Sequence, residues 1–127
     1  MKIGGSIAQT VVTLDKDPKI ARSLAGGLGP HFSVHVTRSR EELREKVARS
    51  NPRAVVLNIE LSRLADVESL HEEFPQLPIV CTHRIPDEEM WTAALAAGAA
   101  DVCPNDDVAN VLTSVLRSTG VSRSAAA

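Results

Sequence analysis

Short apolar runs alternate along the chain with longer stretches in which apolar residues recur at helical spacing. "VVTL" at Val11–Leu14 is the first apolar run. After it, Asp17 and Pro18 have the composition of a helix start, and Ala21, Leu24, Ala25 and Leu28 recur on one helical face. Gly26, Gly27, Gly29 and Pro30 are read as the end of that helix. Phe32, Val34 and Val36 then alternate with Ser33, His35 and Thr37, the pattern of a half-exposed strand. Ser39 with Glu42 is a capping-box pair ahead of "EELREKVARS", whose charges read as a solvated helix face.

"AVVLNI" from Ala54 is apolar without alternation, the pattern of a strand buried on both faces. "ADVESLHEEF" places Val67, Leu70 and Phe74 on one helical face. Pro75 and Pro78 bracket a turn before "IVCT". Pro86, Asp87, Glu88 and Glu89 start a helix with acids at its positive end, and Gly98 stops it. Within it, Trp91 is placed at the core or its edge with Ala94 and Leu95. Ala93, Ala96 and Ala97 are placed on the outer face. "ADVC" is the fifth strand. Asp106 and Asp107 open the last helix, which turns Val108, Val111, Leu112, Val115 and Leu116 to one side. Five such strand–helix units predict an α/β protein with a parallel sheet covered on both faces.

Length narrows this to one domain, since 127 residues suffice for a single core. Aromatic residues are only 2%, so that core is aliphatic. A net charge of -2 argues against a nucleic-acid-binding face. No apolar run approaches a membrane span, and no signal peptide is evident, so a cytoplasmic protein is expected. Cys81 and Cys103 are too few for a disulfide scaffold and lack CxxC spacing, which favours buried core cysteines. A redox or metal site using them with His83 is the alternative.

Several stretches resemble the receiver domains (CheY-like) of bacterial two-component response regulators. They are "VVTLDKDP", "AVVLNIEL", "LPIVCTH" and "AAGAADVCPND". The resemblance implies a flavodoxin-like (βα)5 sandwich with sheet order 2-1-3-4-5. It divides the chain into an N-terminal segment 1–8, a receiver-like domain 9–118 and a flexible tail or linker 119–127. It also implies a phosphorelay site at the strand C-termini, and there this sequence departs from the pattern. Asn58 stands at the phosphoacceptor aspartate. Asp15 matches the first of two metal-holding acids, but Lys16 stands at the second. Thr82 or His83 takes the switch hydroxyl position. Asn105 replaces a lysine, and Val102 replaces a switch aromatic.

An amide nitrogen is no nucleophile, because its lone pair is delocalised into the carbonyl. Magnesium prefers hard anionic oxygens, and Asp15, the Asn58 oxygen and the Glu60 carbonyl with an ammonium beside them are a poor set. The resemblance therefore implies a degenerate receiver: no enzyme activity, no resident cofactor, and weak or absent Mg²⁺ binding. Its output would be contact with a protein partner or a second copy. The face implied is helix four, strand five and helix five, with Ala93, Ala96, Ala97 and Val102. A small-anion or nucleotide sensor is the other reading, using Lys16, Asn58 and Thr82 at the strand C-termini with nearby helix N-termini.

Overall fold

The computed structural model describes residues 9–60 and 63–120. The predicted segment 1–8 lies outside the described residues, and so does the predicted tail beyond Gly120. Five strands and five helices alternate: β1 (Thr10–Leu14), α1 (Pro18–Leu28), β2 (Ser33–Thr37), α2 (Arg40–Ser50), β3 (Ala54–Asn58), α3 (Leu64–Glu73), β4 (Ile79–His83), α4 (Glu88–Ala97), β5 (Asp101–Pro104) and α5 (Val108–Thr119). All strand pairs are parallel, in the order β2-β1-β3-β4-β5. This is the flavodoxin-like arrangement that the sequence implies.

Strand alternation sorts the core into two layers. Val12, Leu14, Val55, Leu57, Ile79 and Cys81 pack against apolar residues of α2, α3 and α4. Val11, Ala54, Val56, Val80 and Cys103 pack against α1 and α5. Every residue of β3 is buried, as a central parallel strand requires. β2 is an edge strand, but the predicted alternation does not hold at its C-terminal end: Val36 is exposed, while Thr37 is buried with its hydroxyl donating to the Thr13 carbonyl.

The caps follow the sequence signals. Asp17, Ser39, Asp87 and Asp107 each accept a hydrogen bond from a backbone N–H in the first turn of their helix. Glu42 completes the cap at α2 by accepting from the N–H of Arg38, one residue before the N-cap. Gly98 ends α4 with φ 116, a conformation that suits glycine.

Four other expectations need correction. Gly26 and Gly27 lie inside α1, which runs on to Leu28. A Cβ on Gly27 would sit 2.1 Å from a Val108 methyl carbon, so this glycine permits the close approach of α1 and α5. Trp91 is exposed, at 44%. One face of α4 presents Met90, Ala94 and Ala97 to the sheet, and Trp91 falls beyond that stripe. For the same reason Ala97 is buried, whereas Ala96 faces solvent. Val102 is also buried, packed in the layer shared with α4.

Candidate functional site

At the C-terminal edge of the sheet, a crevice of about 290 Å³ is lined by Asp15, Asp17, Ile20, Asn58, Glu60, Arg84 and Asn105. Open α/β sheets hold ligands at this edge, where connections leave in opposite directions. Three loops deliver the side chains. Asp15 follows β1, Asn58 ends β3 and Asn105 follows β5, and all three are buried. The sequence reading of a convergent site at these positions therefore has its geometry.

The polar groups are bonded to one another. The Asn58 amide Nδ2 donates to Asp15 Oδ2 at 3.0 Å. Asp15 Oδ1 accepts from the N–H of Asp17 at 3.0 Å. Asn58 Oδ1 accepts from the N–H of Glu60 at 2.9 Å. The amide orientation is thus dictated by its neighbours: nitrogen toward a carboxylate, oxygen toward an N–H. The Glu60 side chain accepts from the N–H of Arg84 at 2.9 Å and from Asn105 Nδ2 at 3.2 Å. The Arg84 guanidinium lies 3.9 Å from its other oxygen. Glu60 enters the sequence reading only through its backbone carbonyl, and Arg84 is absent from it. Their spacing, two residues beyond Asn58 and Thr82, was the available signal.

Thr82 pairs in register with Asn58 and is fully buried. Alternation puts it on the sheet face of Val80, the face Asn58 also takes, and places His83 on the other. The Thr82 hydroxyl has no hydrogen-bond partner among the described residues. His83 Nδ1 accepts from the N–H of Ile85 at 3.1 Å.

Lys16 does not reach this crevice. Successive residues leaving β1 point to opposite sides, so Lys16 lines a separate depression with Arg38, Arg40 and Arg63. The cation at the crevice is Arg84, and it faces three carboxylates, Asp15, Asp17 and Glu60. This also removes the anion-sensing reading from the crevice, because its lining is predominantly acidic.

The cysteines do not form a joint site. Cys81 and Cys103 sit on neighbouring strands but in opposite core layers. Burial, with a smaller push from Cys103, raises the Cys81 thiol to about 12. Burial also raises Cys103, although a hydrogen-bonding contact with Ser114 at 3.3 Å opposes it. Ser114 in turn donates to Asp101. Both thiols stay protonated and unreactive at neutral pH. Among the described residues, no three His, Cys, Asp or Glu side chains are grouped to hold a metal ion. Among the described residues, too, no helix is long and apolar enough to cross a membrane.

No protein-family model matches this chain, and no curated protein does. Solved structures do match. A response regulator from Thermotoga maritima superposes with a TM-score of 0.82 at 18% identity, over 90% of this chain and 99% of that one. The BeF3-activated N-terminal receiver domain of Klebsiella pneumoniae RstA gives 0.76 at 26% identity, over 86% and 96%. The signal receiver domain of an HD-domain protein from Pseudomonas fluorescens Pf-5 gives 0.79 at 15%, over 92% and 98%. This chain has the fold of response-regulator receiver domains, with an asparagine closing the central strand.

Proposed function

We propose that this chain is a receiver-type signalling domain that acts by protein contact, without aspartyl phosphorylation. The observation that carries this reading is the Asn58 bridge. Its amide donates to Asp15 and accepts from the Glu60 backbone, so the crevice is internally satisfied. Two carboxylates at that separation would need a cation between them; an amide and a carboxylate do not. Asn58 offers no nucleophilic oxygen, and Asn105 offers no cation for a phosphoryl group. Mg²⁺ is expected to bind weakly or not at all. Both Asp15 oxygens already accept hydrogen bonds, and the Asn58 amide oxygen is neutral and takes the N–H of Glu60. Lys16 plays no part in that argument.

Output is assigned to the face formed by α4, β5 and α5. Ala96 and Trp91 are its exposed apolar members, Ala93 is half-buried, and Ala97 and Val102 support it from the core. A small uncharged helix surface lets a partner approach closely at little desolvation cost. This domain is assigned no enzyme activity, no resident cofactor, and neither nucleic acid nor membrane as a partner.

The test is incubation with acetyl phosphate and Mg²⁺. Intact mass and the solution mass from light scattering are both expected to stay unchanged. Gain of one phosphoryl group, located by digestion at Asp15 or Asp66, would contradict the reading. The docking face has its own test. Ala96→Glu keeps helix propensity high and puts a charge in the patch. It is expected to abolish self-association or partner capture with an unchanged circular dichroism spectrum. If association survives Ala96→Glu, the docking face is elsewhere.

A further inference from the structure

The depression holding Lys16 lies across β1 from the crevice, on the side of α2 and α3. It has a volume of about 280 Å³. Four cations line it, Lys16, Arg38, Arg40 and Arg63, against two carboxylates, Glu41 and Asp66. Four minus two leaves a local charge of +2 in a chain whose net charge is -2. Composition therefore does not explain the cluster.

Pairing does not explain it either. Asp66 is already used on both oxygens: Oδ1 accepts from Arg40 Nη1 at 3.0 Å, and Oδ2 accepts from the N–H of Arg63 at 2.9 Å. Arg40 is the only one of the four in an ion pair among the described residues. The charged ends of Lys16, Arg38 and Arg63 are left with Glu41 as the sole remaining carboxylate of the lining. Glu42, just behind, is turned to the backbone N–H of Arg38. Like charges held around one small concavity repel, and the arrangement costs free energy that a bound anion would recover. Arginines also present planar donor forks that match phosphoryl oxygens.

We propose that this basin binds a small phosphoanion, of the size of phosphate or pyrophosphate. Arg38 and Arg63 supply forked donors and Lys16 a point charge. Arg40, exposed and paired with Asp66, forms one wall. The residual charge of +2 suits a phosphoryl dianion, and the volume lies at or just below the small end of ligand sites. The site is separate from the Asn58 crevice, so it stands whether or not that crevice is silent.

The experiment is a nuclear magnetic resonance titration of the full chain with pyrophosphate, and separately with inorganic phosphate, at constant ionic strength. Saturable shifts are expected at the backbone amides of residues 38–41 and 63–66. The two anions distinguish a one-phosphate from a two-phosphate ligand by their midpoints. Arg38→Gln and Arg63→Gln are each expected to weaken binding about tenfold, the loss of one charge-assisted contact. Arg22→Gln, which removes an exposed cation on α1 outside the basin, is expected to leave the midpoint unchanged. Three results would overturn the proposal: no saturable shift, an equal response to chloride, or an unchanged midpoint in the folded Arg38→Gln/Arg63→Gln double variant.

Discussion

Asn58→Asp is expected to destabilise the folded chain by about 3 kcal/mol at neutral pH without divalent cations. The change is nearly isosteric, so packing is preserved. What changes is the contact at 3.0 Å between position 58 and Asp15 Oδ2. A donor becomes a second carboxylate, and both groups are almost fully buried, at 4% and 2% exposure. A favourable charge-assisted hydrogen bond is replaced by repulsion between like charges in a low-dielectric site.

The loss has a pH signature. In the variant, one proton is shared by the pair, so its folded-state pKa is raised above the unfolded value near 3.9. A raised pKa stabilises the fold below the unfolded pKa and loses that contribution as pH rises through the folded pKa. The deficit relative to wild type should therefore be smallest near pH 4 and widen toward pH 7. Urea unfolding of both chains across that range measures it, with Mg²⁺ added in a second series. Mg²⁺ should return part of the lost stability to the variant and none to wild type. A variant as stable as wild type at pH 7 would mean that the amide bridge is not what stabilises the crevice.

Gly98→Ala is expected to cost about 3 kcal/mol, the sum of about 1–2 for a left-handed backbone and about 1–3 for overlap, partly relieved by relaxation. Gly98 closes α4 with φ 116, and its N–H donates to the carbonyls of Ala94 and Leu95. A Cβ there would lie 2.6 Å from Cγ of His71 and 2.9 Å from its Cβ. The ring can turn away, but the His71 Cβ is fixed by α3. His71→Ala alone removes an exposed side chain and should be nearly neutral. Combined with Gly98→Ala it should recover only the ring's share of the overlap, because alanine keeps the Cβ at 2.9 Å; the Cβ contact and about 1–2 kcal/mol of backbone strain remain. Full recovery in the double variant would show that neither φ nor the Cβ contact costs anything here; a Gly98→Ala variant as stable as wild type would contradict the prediction outright.

The fold was legible because local signals agreed. Four acid or serine caps, a Pro at the start of α1 and Gly98 at the end of α4 marked the helices. The unbroken apolar run at β3 marked the buried centre. Misreadings came where tertiary contact overrides local rule. Gly27 looks like a terminator, yet it is helical because Val108 occupies the space a side chain would need. Trp91 looks like core by size, but α4 is short and its buried stripe is filled by Met90, Ala94 and Ala97. Alanine carries no inside–outside signal, so Ala96 and Ala97 were not separable by composition.

The candidate site was half legible. Strand ends announced Asp15, Asn58 and Asn105, since chain position alone puts them at one edge. Which way Lys16 turns was not announced. Residue alternation past a strand end depends on the loop that follows, and here it sends Asp15 to the crevice and Lys16 to the basin. Arg84 was hidden for the same reason: its role comes from a contact with Glu60, 24 residues away.

The central claim is that the crevice is closed on itself and takes neither phosphoryl group nor metal. Beryllofluoride with Mg²⁺ tests it most directly, because this pair occupies an aspartyl-phosphate site without needing a kinase. The measurement is the amide nuclear magnetic resonance spectrum of the wild-type chain during that titration, with Asn58→Asp as the comparison. The predicted result is no saturable shift at residues 15, 58, 82 and 105 in wild type. Saturable shifts at those four positions in wild type would contradict the claim and return the domain to phosphate control.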